Sequence, residues 1–110
     1  MKKVYLCGSF KYIDKMKNIQ VTFISHEIHC TMPELDSPKG IQGCLEQITK
    51  ADITFVVNPD GYIGKSVSVD IGYALALNKK VYSLVSIDDP PVGDLISGVA
   101  TIEDVIKIST

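Results

Sequence analysis

The residues from Asp52 to Val57 form an almost unbroken apolar run, and this run constrains the fold more than any other feature. The run is too short for a buried helix and is rich in β-branched and aromatic residues, which indicates a β-strand. A strand that is apolar at nearly every position is typical of a parallel sheet that helices cover on both faces. The sequence therefore predicts an α/β fold.

Strand-like and helix-like patterns alternate along the rest of the chain. We predict strands at 3–7, 27–31, 52–57, 80–85 and 98–100, helices at about 12–25, 41–50, 67–78 and from 101 onward, and loops at 34–40 and 87–93. The last helix begins at Thr101 with the spacing of a capping box. This alternation predicts a parallel sheet of about five strands with right-handed crossovers and helices on both faces, within one domain over residues 1–110. If the strand order is 2-1-3-4-5, the first and third strands are neighbours.

Composition narrows the classes of partner. The formal net charge of -2 argues against a nucleic-acid-binding surface, and no apolar run is long enough to span a membrane. The chain contains no Arg, so any phosphate must be held by backbone amides, hydroxyl groups or Lys. The three cysteines are odd in number and lack a CxxC pair, which indicates a reducing, cytoplasmic location. We expect no signal peptide, because Met-Lys-Lys leads directly into a strand.

Two loops rich in small residues follow the first and third predicted strands. Because these strands are neighbours in the order 2-1-3-4-5, both loops lie at the switch point where parallel α/β sheets bind ligands. Glycines let the backbone approach a ligand closely, and free amides at helix starts bind anions. We therefore predict a ligand pocket there. Its candidate contacts are Tyr5, Gly8, Ser9, Phe10, Asn58, Asp60, Gly61, Gly64, Lys65, Ser66 and Ser68.

Three of these candidates have a second interpretation. Tyr5 either contacts the ligand or is a core aromatic residue. Phe10 either stacks on the ligand or packs on the first helix. Asp60 precedes Gly61, and this pair is also typical of a simple turn.

Two familiar site types are not supported. The segment Gly64-Lys65-Ser66 matches the end of a nucleotide triphosphatase P-loop, but the glycine required five residues earlier is Pro59. His26, His29 and Cys30 do not have the spacing of a metal site, because adjacent strand residues point to opposite faces. We therefore predict no metal site.

Three segments resemble the nucleoside 2-deoxyribosyltransferase superfamily, which includes the 2'-deoxynucleoside 5'-phosphate N-hydrolases. They are KVYLCGSF, ADITFVVNPDGYIGKSVSVDIGYALALNKKV and the closing short strand and helix. The resemblance is greatest to small bacterial and archaeal members, covers nearly the whole chain and is most specific from Asn58 to Val81. It implies a flavodoxin-like, Rossmann-like domain with the strand order 2-1-3-4-5, cleavage of an N-glycosidic bond without a cofactor, and a homodimer or larger homo-oligomer.

The resemblance implies that the nucleophile is the acidic residue before Ile71-Gly72-Tyr73-Ala74, which is Asp70. Stabilisation by the helix dipole should keep Asp70 ionised at neutral pH, so that it can attack an anomeric carbon or stabilise an oxocarbenium ion. The superfamily typically has Glu at this position. It also has two supporting aspartates, whose positions are occupied here by Cys44 and Gly64.

Two classes of function follow from these features. The first is an enzyme that cleaves or transfers at the N-glycosidic bond of a (deoxy)nucleoside or nucleoside 5'-monophosphate, as a hydrolase with water and as a transferase with a second base. The second is a non-catalytic nucleoside- or nucleotide-binding or sensing domain that keeps the loops but has weakened catalytic carboxylates. An accessory role with a protein partner rests on analogy between folds alone.

Overall fold

Five parallel strands form a single sheet in the computed structural model, which describes residues 1–34 and 38–110. The strands are β1 (Val4–Cys7), β2 (Cys30–Thr31), β3 (Ile53–Val56), β4 (Lys80–Ser83) and β5 (Gly98–Val99). The helices are α1 (Ile13–Ser25), α2 (Ile41–Lys50), α3 (Lys65–Ala76), the short α4 (Pro90–Gly93) and α5 (Ile102–Ser109), and a 3-10 turn, Phe10–Tyr12, precedes α1. The strand order is β2-β1-β3-β4-β5, so the predicted topology is confirmed.

Side chains alternate across β1, and this alternation produces two hydrophobic cores. Val4 and Leu6 pack in one core with residues of α1 and α5. Tyr5 and Cys7 face the opposite side and pack with residues of α2 and α3. Successive strand residues point to opposite faces, which is why both sides of the sheet are covered by helices. As a result, Tyr5 and Cys7 lie beneath the helix that carries Asp70.

The predicted strand ends required corrections. Strand β2 spans only two residues, because the chain leaves α1 through a turn in which Glu27 has a φ of 61°. Strand β4 ends at Ser83, because the backbone of Val85 bonds to the side chain of Asn58. The predicted loop over 87–93 contains the helical turn α4. The predicted loop over 34–40 lies partly outside the described residues.

The predicted helix ends agree better with the structure. Helix α3 ends at Ala76, and Asn78 adopts the expected left-handed conformation with a φ of 59°. At the start of α5, Thr101 Oγ1 accepts a hydrogen bond from the Asp104 amide at 3.0 Å. Asp104 Oδ2 accepts one from the Thr101 amide, also at 3.0 Å, which completes the capping box. Within the described residues, each helix is too short or too polar to cross a bilayer.

Candidate functional site

A cavity of about 560 Å³ opens at the carboxyl edge of the sheet, between the loops that follow β1 and β3. The adjacency of these two strands brings the loops together. The lining residues that the sequence predicted are Gly8, Ser9, Phe10, Gly64, Lys65, Ser66 and Asp70. Those that it did not predict as contacts are Pro33, Glu34, Gly40, Ile41, Cys44, Tyr62 and Val67.

A second cavity, of about 640 Å³, lies along α2 and is lined in part by Lys3, His29 and Lys50. It begins at the amino end of β1, and many of its lining side chains are charged and exposed. Open parallel sheets bind ligands at the carboxyl ends of their strands. We therefore assign the candidate site to the smaller cavity.

Several predicted contacts lie outside the cavity. Asn58 is fully buried, and its side chain donates to the carbonyl of Val85 at 3.0 Å and accepts from the amide of Val85 at 3.2 Å. It therefore joins the ends of β3 and β4. Tyr5 is fully buried in the core beneath the cavity. Ser68 is on the exposed side of α3, where its hydroxyl donates to the carbonyl of Gly64 at 3.0 Å.

Two of the loop glycines are required by packing rather than by approach to a ligand. A Cβ on Gly8 would lie 2.9 Å from the carbonyl oxygen of Val57, so only glycine lets β1 end so close to β3. Gly61 has a φ of 84°, and a Cβ there would lie 3.1 Å from the carbonyl oxygen of Ser86. Gly61 thus shapes the turn outside the cavity.

Asp70 lies in the second turn of α3, where it lines the cavity with only 5% of its surface exposed. Its Oδ2 accepts a hydrogen bond from Cys7 Sγ at 3.5 Å, whereas Oδ1 has no partner among the described residues. Burial raises the pKa of this carboxyl from 3.8 to about 6, and the Cys7 hydrogen bond opposes the increase. Asp70 is therefore mostly ionised at neutral pH, although burial shifts its pKa upward, in the direction opposite to the stabilisation expected from the helix dipole.

The polar groups beneath Asp70 are protonated. Burial raises the pKa of the Cys7 thiol well above its ordinary value, and the charge of Asp70 raises it further. Burial also raises the pKa of the Tyr5 hydroxyl, as does the nearby Cys44 thiol, although the two side chains do not meet hydrogen-bond geometry. Tyr5 Oη and Asp70 Oδ1 are both buried and unpartnered among the described residues. Such atoms are uncommon in proteins, and one explanation for them is a catalytic or binding role.

The start of α3 presents free amides to the same cavity. Gly64 is the N-cap residue and offers no side chain to the first turn, whose amides have no helical acceptor. Lys65 and Ser66 line the cavity beside these amides. A helix start with exposed amides and an adjacent cation is suited to bind an anion.

An ion pair joins the two loops at the rim. Lys11 Nζ lies 3.3 Å from Asp60 Oδ2, and it also lies 5.0 Å and 4.8 Å from the ring centroids of Tyr12 and Tyr62. Asp60 Oδ1 accepts a hydrogen bond from the Tyr62 amide at 3.1 Å. Asp60 thus holds Tyr62 at the rim and does not itself line the cavity. Tyr62 and Phe10 are the exposed aromatic residues of the lining, at 52% and 57% exposure.

Comparisons with known proteins identify the fold. No protein-family model matches the sequence, and no curated protein matches it. The structure of the 2-deoxyribosyltransferase from Bacillus psychrosaccharolyticus has a TM-score of 0.69 and 20% identity, and covers 94% of this chain and 90% of that enzyme. The CMP N-glycosidase BcmB of Clostridium botulinum has a TM-score of 0.59 and 14% identity, over 97% and 96%.

A third structure extends the comparison to a longer protein. Vibrio vulnificus NanR, complexed with ManNAc-6P, has a TM-score of 0.69 and 19% identity, over 91% of this chain but only 38% of NanR. At such identities the similarity establishes the fold alone. The chain has the fold of a 2-deoxyribosyltransferase and of a CMP N-glycosidase, in agreement with the superfamily that its sequence resembles.

Proposed function

We propose that the protein belongs to the nucleoside 2-deoxyribosyltransferase-like superfamily and is an enzyme. It would cleave or transfer at the N-glycosidic bond of a (deoxy)nucleoside or nucleoside 5'-monophosphate, with Asp70 as the nucleophile. The observation that carries this proposal is the carboxylate of Asp70, which lines the cavity although it is largely buried and is mostly ionised at neutral pH. The nucleoside substrate is inferred from the resemblance and from the two enzymes that share the fold.

The chemistry requires one carboxylate and no cofactor. The Asp70 carboxylate attacks C1' of the sugar, the C1'–N bond breaks, and the base leaves with the bonding electron pair and takes a proton from solvent. Water then attacks C1', loses a proton and releases Asp70, which completes hydrolysis. A second base in place of water gives transfer. If the base leaves before a covalent bond to Asp70 forms, the sugar becomes an oxocarbenium ion, and the negative charge of Asp70 stabilises that ion.

The cavity walls match the remaining parts of such a substrate. Phe10 and Tyr62 present exposed rings on which a planar base can stack. The free amides of α3, with Lys65 and Ser66, are suited to a 5'-phosphate. The aromatic rings therefore favour a nucleoside, and the helix start favours its monophosphate.

Lys65→Ala tests the phosphate assignment. The variant should lose affinity for the monophosphate, because it removes the cation beside the α3 amides, and should keep its affinity for the nucleoside. Titration calorimetry with the two ligands measures both constants. Lys79→Ala, which changes a lysine beyond the carboxyl end of α3, is the matched control. Equal losses for nucleoside and monophosphate would contradict the assignment.

We further propose that the protein is at least a homodimer. Phe10, Ile41 and Tyr62 line the cavity and are all more than 40% exposed, so a second copy could cover them. Sedimentation velocity over a range of concentrations tests this directly. A monomer at all concentrations, with or without ligand, would contradict it.

A non-catalytic binding domain is the second candidate. It is favoured by Cys44 and Gly64, which occupy the positions of the supporting aspartates that the resemblance implies. The structure of NanR with ManNAc-6P shows that a protein containing this fold is found in complex with a phosphorylated sugar. In this case the same cavity would hold the ligand, and Asp70 would only bind it.

One experiment separates the two candidates. The protein is incubated with a panel of ribonucleosides, deoxynucleosides and their monophosphates, and free base is measured by chromatography while calorimetry measures binding. Base release that is lost in Asp70→Asn supports the enzyme. Binding without release supports the binding domain, and neither binding nor release would overturn both.

A further inference from the structure

The two oxygens of the Asp70 carboxylate have different surroundings. Oδ2 accepts a hydrogen bond from Cys7 Sγ at 3.5 Å, and Oδ1 is buried without a hydrogen-bond partner among the described residues. We infer that Cys7 is a positioning residue, whose thiol holds Oδ2 and so fixes the orientation of the Asp70 carboxylate beside the cavity. This inference rests on the proposed function, in which Asp70 acts on the substrate.

The position of the thiol is fixed by the sheet. Cys7 is the last residue of β1, is fully buried and pairs with Val56 of β3. Its carbonyl accepts a hydrogen bond from the Val57 amide at 2.7 Å, and the tight packing of Gly8 against Val57 follows directly. The donor is therefore attached to the central strands, whereas its acceptor lies on a covering helix.

The thiol remains a donor over the working range of pH. Burial and the charge of Asp70 both raise the pKa of Cys7, so the proton stays on sulfur while Asp70 is ionised. An apolar side chain at this position would leave Oδ2 buried without a partner, which is unfavourable for a charged group. A carboxylate held through one oxygen loses rotational freedom, and this pre-orientation favours its reaction with a bound substrate.

Cys30 shows what a buried cysteine does without this contact. It lies in β2 with 5% exposure, and among the described residues its thiol approaches only the neighbouring carbonyl of Thr31, at 4.0 Å. Burial alone raises its pKa, to about 12. Cys30→Ala is therefore a matched control, since it removes a buried thiol from the core without touching Asp70.

The test measures the Asp70 carboxyl directly by ¹³C NMR titration in the wild type, Cys7→Ala, Cys7→Ser and Cys30→Ala. Losing a donor to the charged form should raise the pKa of Asp70 in Cys7→Ala by at least about 0.5. Cys7→Ser, which restores a donor, should move the pKa back toward the wild-type value. Cys30→Ala should leave it unchanged.

Other titratable groups face the same carboxylate but are common to all these variants. They are Tyr5 from β1, Cys44 from α2, and Glu34 and Lys65 in the cavity wall. Thermal unfolding checks that each variant is folded. If Cys7→Ala does not fold, Cys7→Val, which fills the volume of the thiol without a donor, replaces it.

The outcomes separate this inference from the proposed function, because the titration needs no turnover. An unchanged pKa of Asp70 in the non-donor variant, or an equal increase in Cys30→Ala, would overturn the role of Cys7. Where base release is observed, the pKa at which kcat/KM falls in acid should increase with the NMR value in Cys7→Ala and return toward the wild-type value in Cys7→Ser. A kinetic pKa that does not follow the NMR value would also overturn the inference. Failure of the wild type to release base overturns the enzyme instead.

Discussion

Helices α3 and α5 follow parallel strands of the same sheet but begin in opposite ways. Helix α5 begins at Thr101, and its first amides are satisfied by the capping box with Asp104. Helix α3 begins at Gly64, has no side-chain cap and opens on the cavity. The first amides of α5 are therefore capped by side chains of the protein, whereas those of α3 remain available to a ligand.

Asp104 of α5 and Asp70 of α3 differ in burial, in hydrogen bonding and in the direction of their pKa shifts. Asp104 is exposed, and hydrogen bonds from Thr101 lower its pKa, so its charge is compatible with the fold. Asp70 is buried, one of its oxygens is unpartnered among the described residues, and burial raises its pKa. We conclude that Asp104 stabilises the fold, whereas the charge of Asp70 opposes folding, as expected under the proposed function.

The largest expected effect is on the rate of base release. Asp70→Asn keeps the shape but removes the charge, so the rate should fall by at least about 10²–10³, which corresponds to roughly 2.7–4 kcal/mol in the barrier. Ligand binding should change little. Asp104→Asn, the equivalent change on α5, should release base at the wild-type rate. Steady-state kinetics with chromatographic detection measure both variants.

Asp70→Glu sharpens the same prediction. The glutamate restores the side chain that is typical of the superfamily and extends the carboxylate by about 1.5 Å, a displacement large enough to change a rate by orders of magnitude. If the short aspartate limits catalysis, the rate increases. If the site has adapted to Asp70, the rate decreases. Equal rates in the two proteins would contradict a role for carboxylate position.

The next effect is on the free energy of unfolding, which Asp70→Asn should increase even though it lowers the rate of base release. The folded-state pKa of about 6 lies above the ordinary 3.8, so the ionised carboxylate opposes folding at every pH above about 6. Asp70→Asn should therefore increase the free energy of unfolding at pH 7.5 by roughly 1–3 kcal/mol. The increase should shrink as the pH falls through 6 and vanish below about 4. Urea titrations at several pH values measure this dependence, and a gain independent of pH would contradict it.

Breaking the cap of α5 should destabilise the fold without affecting the site. Thr101→Ala removes the side-chain acceptor for the Asp104 amide and should lower the free energy of unfolding by about 1 kcal/mol. Base release by the folded protein should be unchanged. Thr110→Ala, beyond the end of α5, is the control. A loss of activity at full stability would show that α5 contributes to the site.

The smallest effect comes from giving α3 the cap it lacks. A Cβ on Gly64 would meet Tyr62 at an ordinary 3.7 Å, so Gly64→Asp fits and should stabilise the helix start by a few tenths of a kcal/mol. The new carboxylate competes with a phosphate for the same amides, so affinity for a monophosphate should fall roughly 2–5-fold. Gly64→Ala is the matched control without a carboxylate. Unchanged affinity in Gly64→Asp would contradict phosphate binding at α3.

The sequence predicts the fold well because the pattern of apolar residues within each element indicates which of its faces are buried. The apolar run of β3 indicates a strand covered on both faces, and the capping box of α5 is a short-range signal. The alternation of strands and helices indicates the parallel sheet, and the strand order that the resemblance implies is confirmed. These features need no knowledge of distant contacts.

The candidate site is predicted only in outline because its geometry depends on distant partners. The hydrogen bond between Cys7 and Asp70 joins residues 63 positions apart. The side chain of Asn58 donates a hydrogen bond to the carbonyl of Val85, 27 positions away. Burial of Asp70, and hence the direction of its pKa shift, depends on how α3 packs on β1. The sequence does not predict Tyr62 as a cavity residue, because its position depends on a hydrogen bond to Asp60 in an irregular loop.

The most direct test of a catalytic Asp70 is the pH dependence of kcat/KM for base release, which reports the pKa values of the free enzyme, in the wild type and in Asp70→Asn. The reacting form is the carboxylate, so the wild-type kcat/KM should fall as the pH decreases through about 6. The residual kcat/KM of the variant should not show this fall. A wild-type kcat/KM that stays level between pH 5 and 8, or the same fall in Asp70→Asn, would contradict a catalytic Asp70.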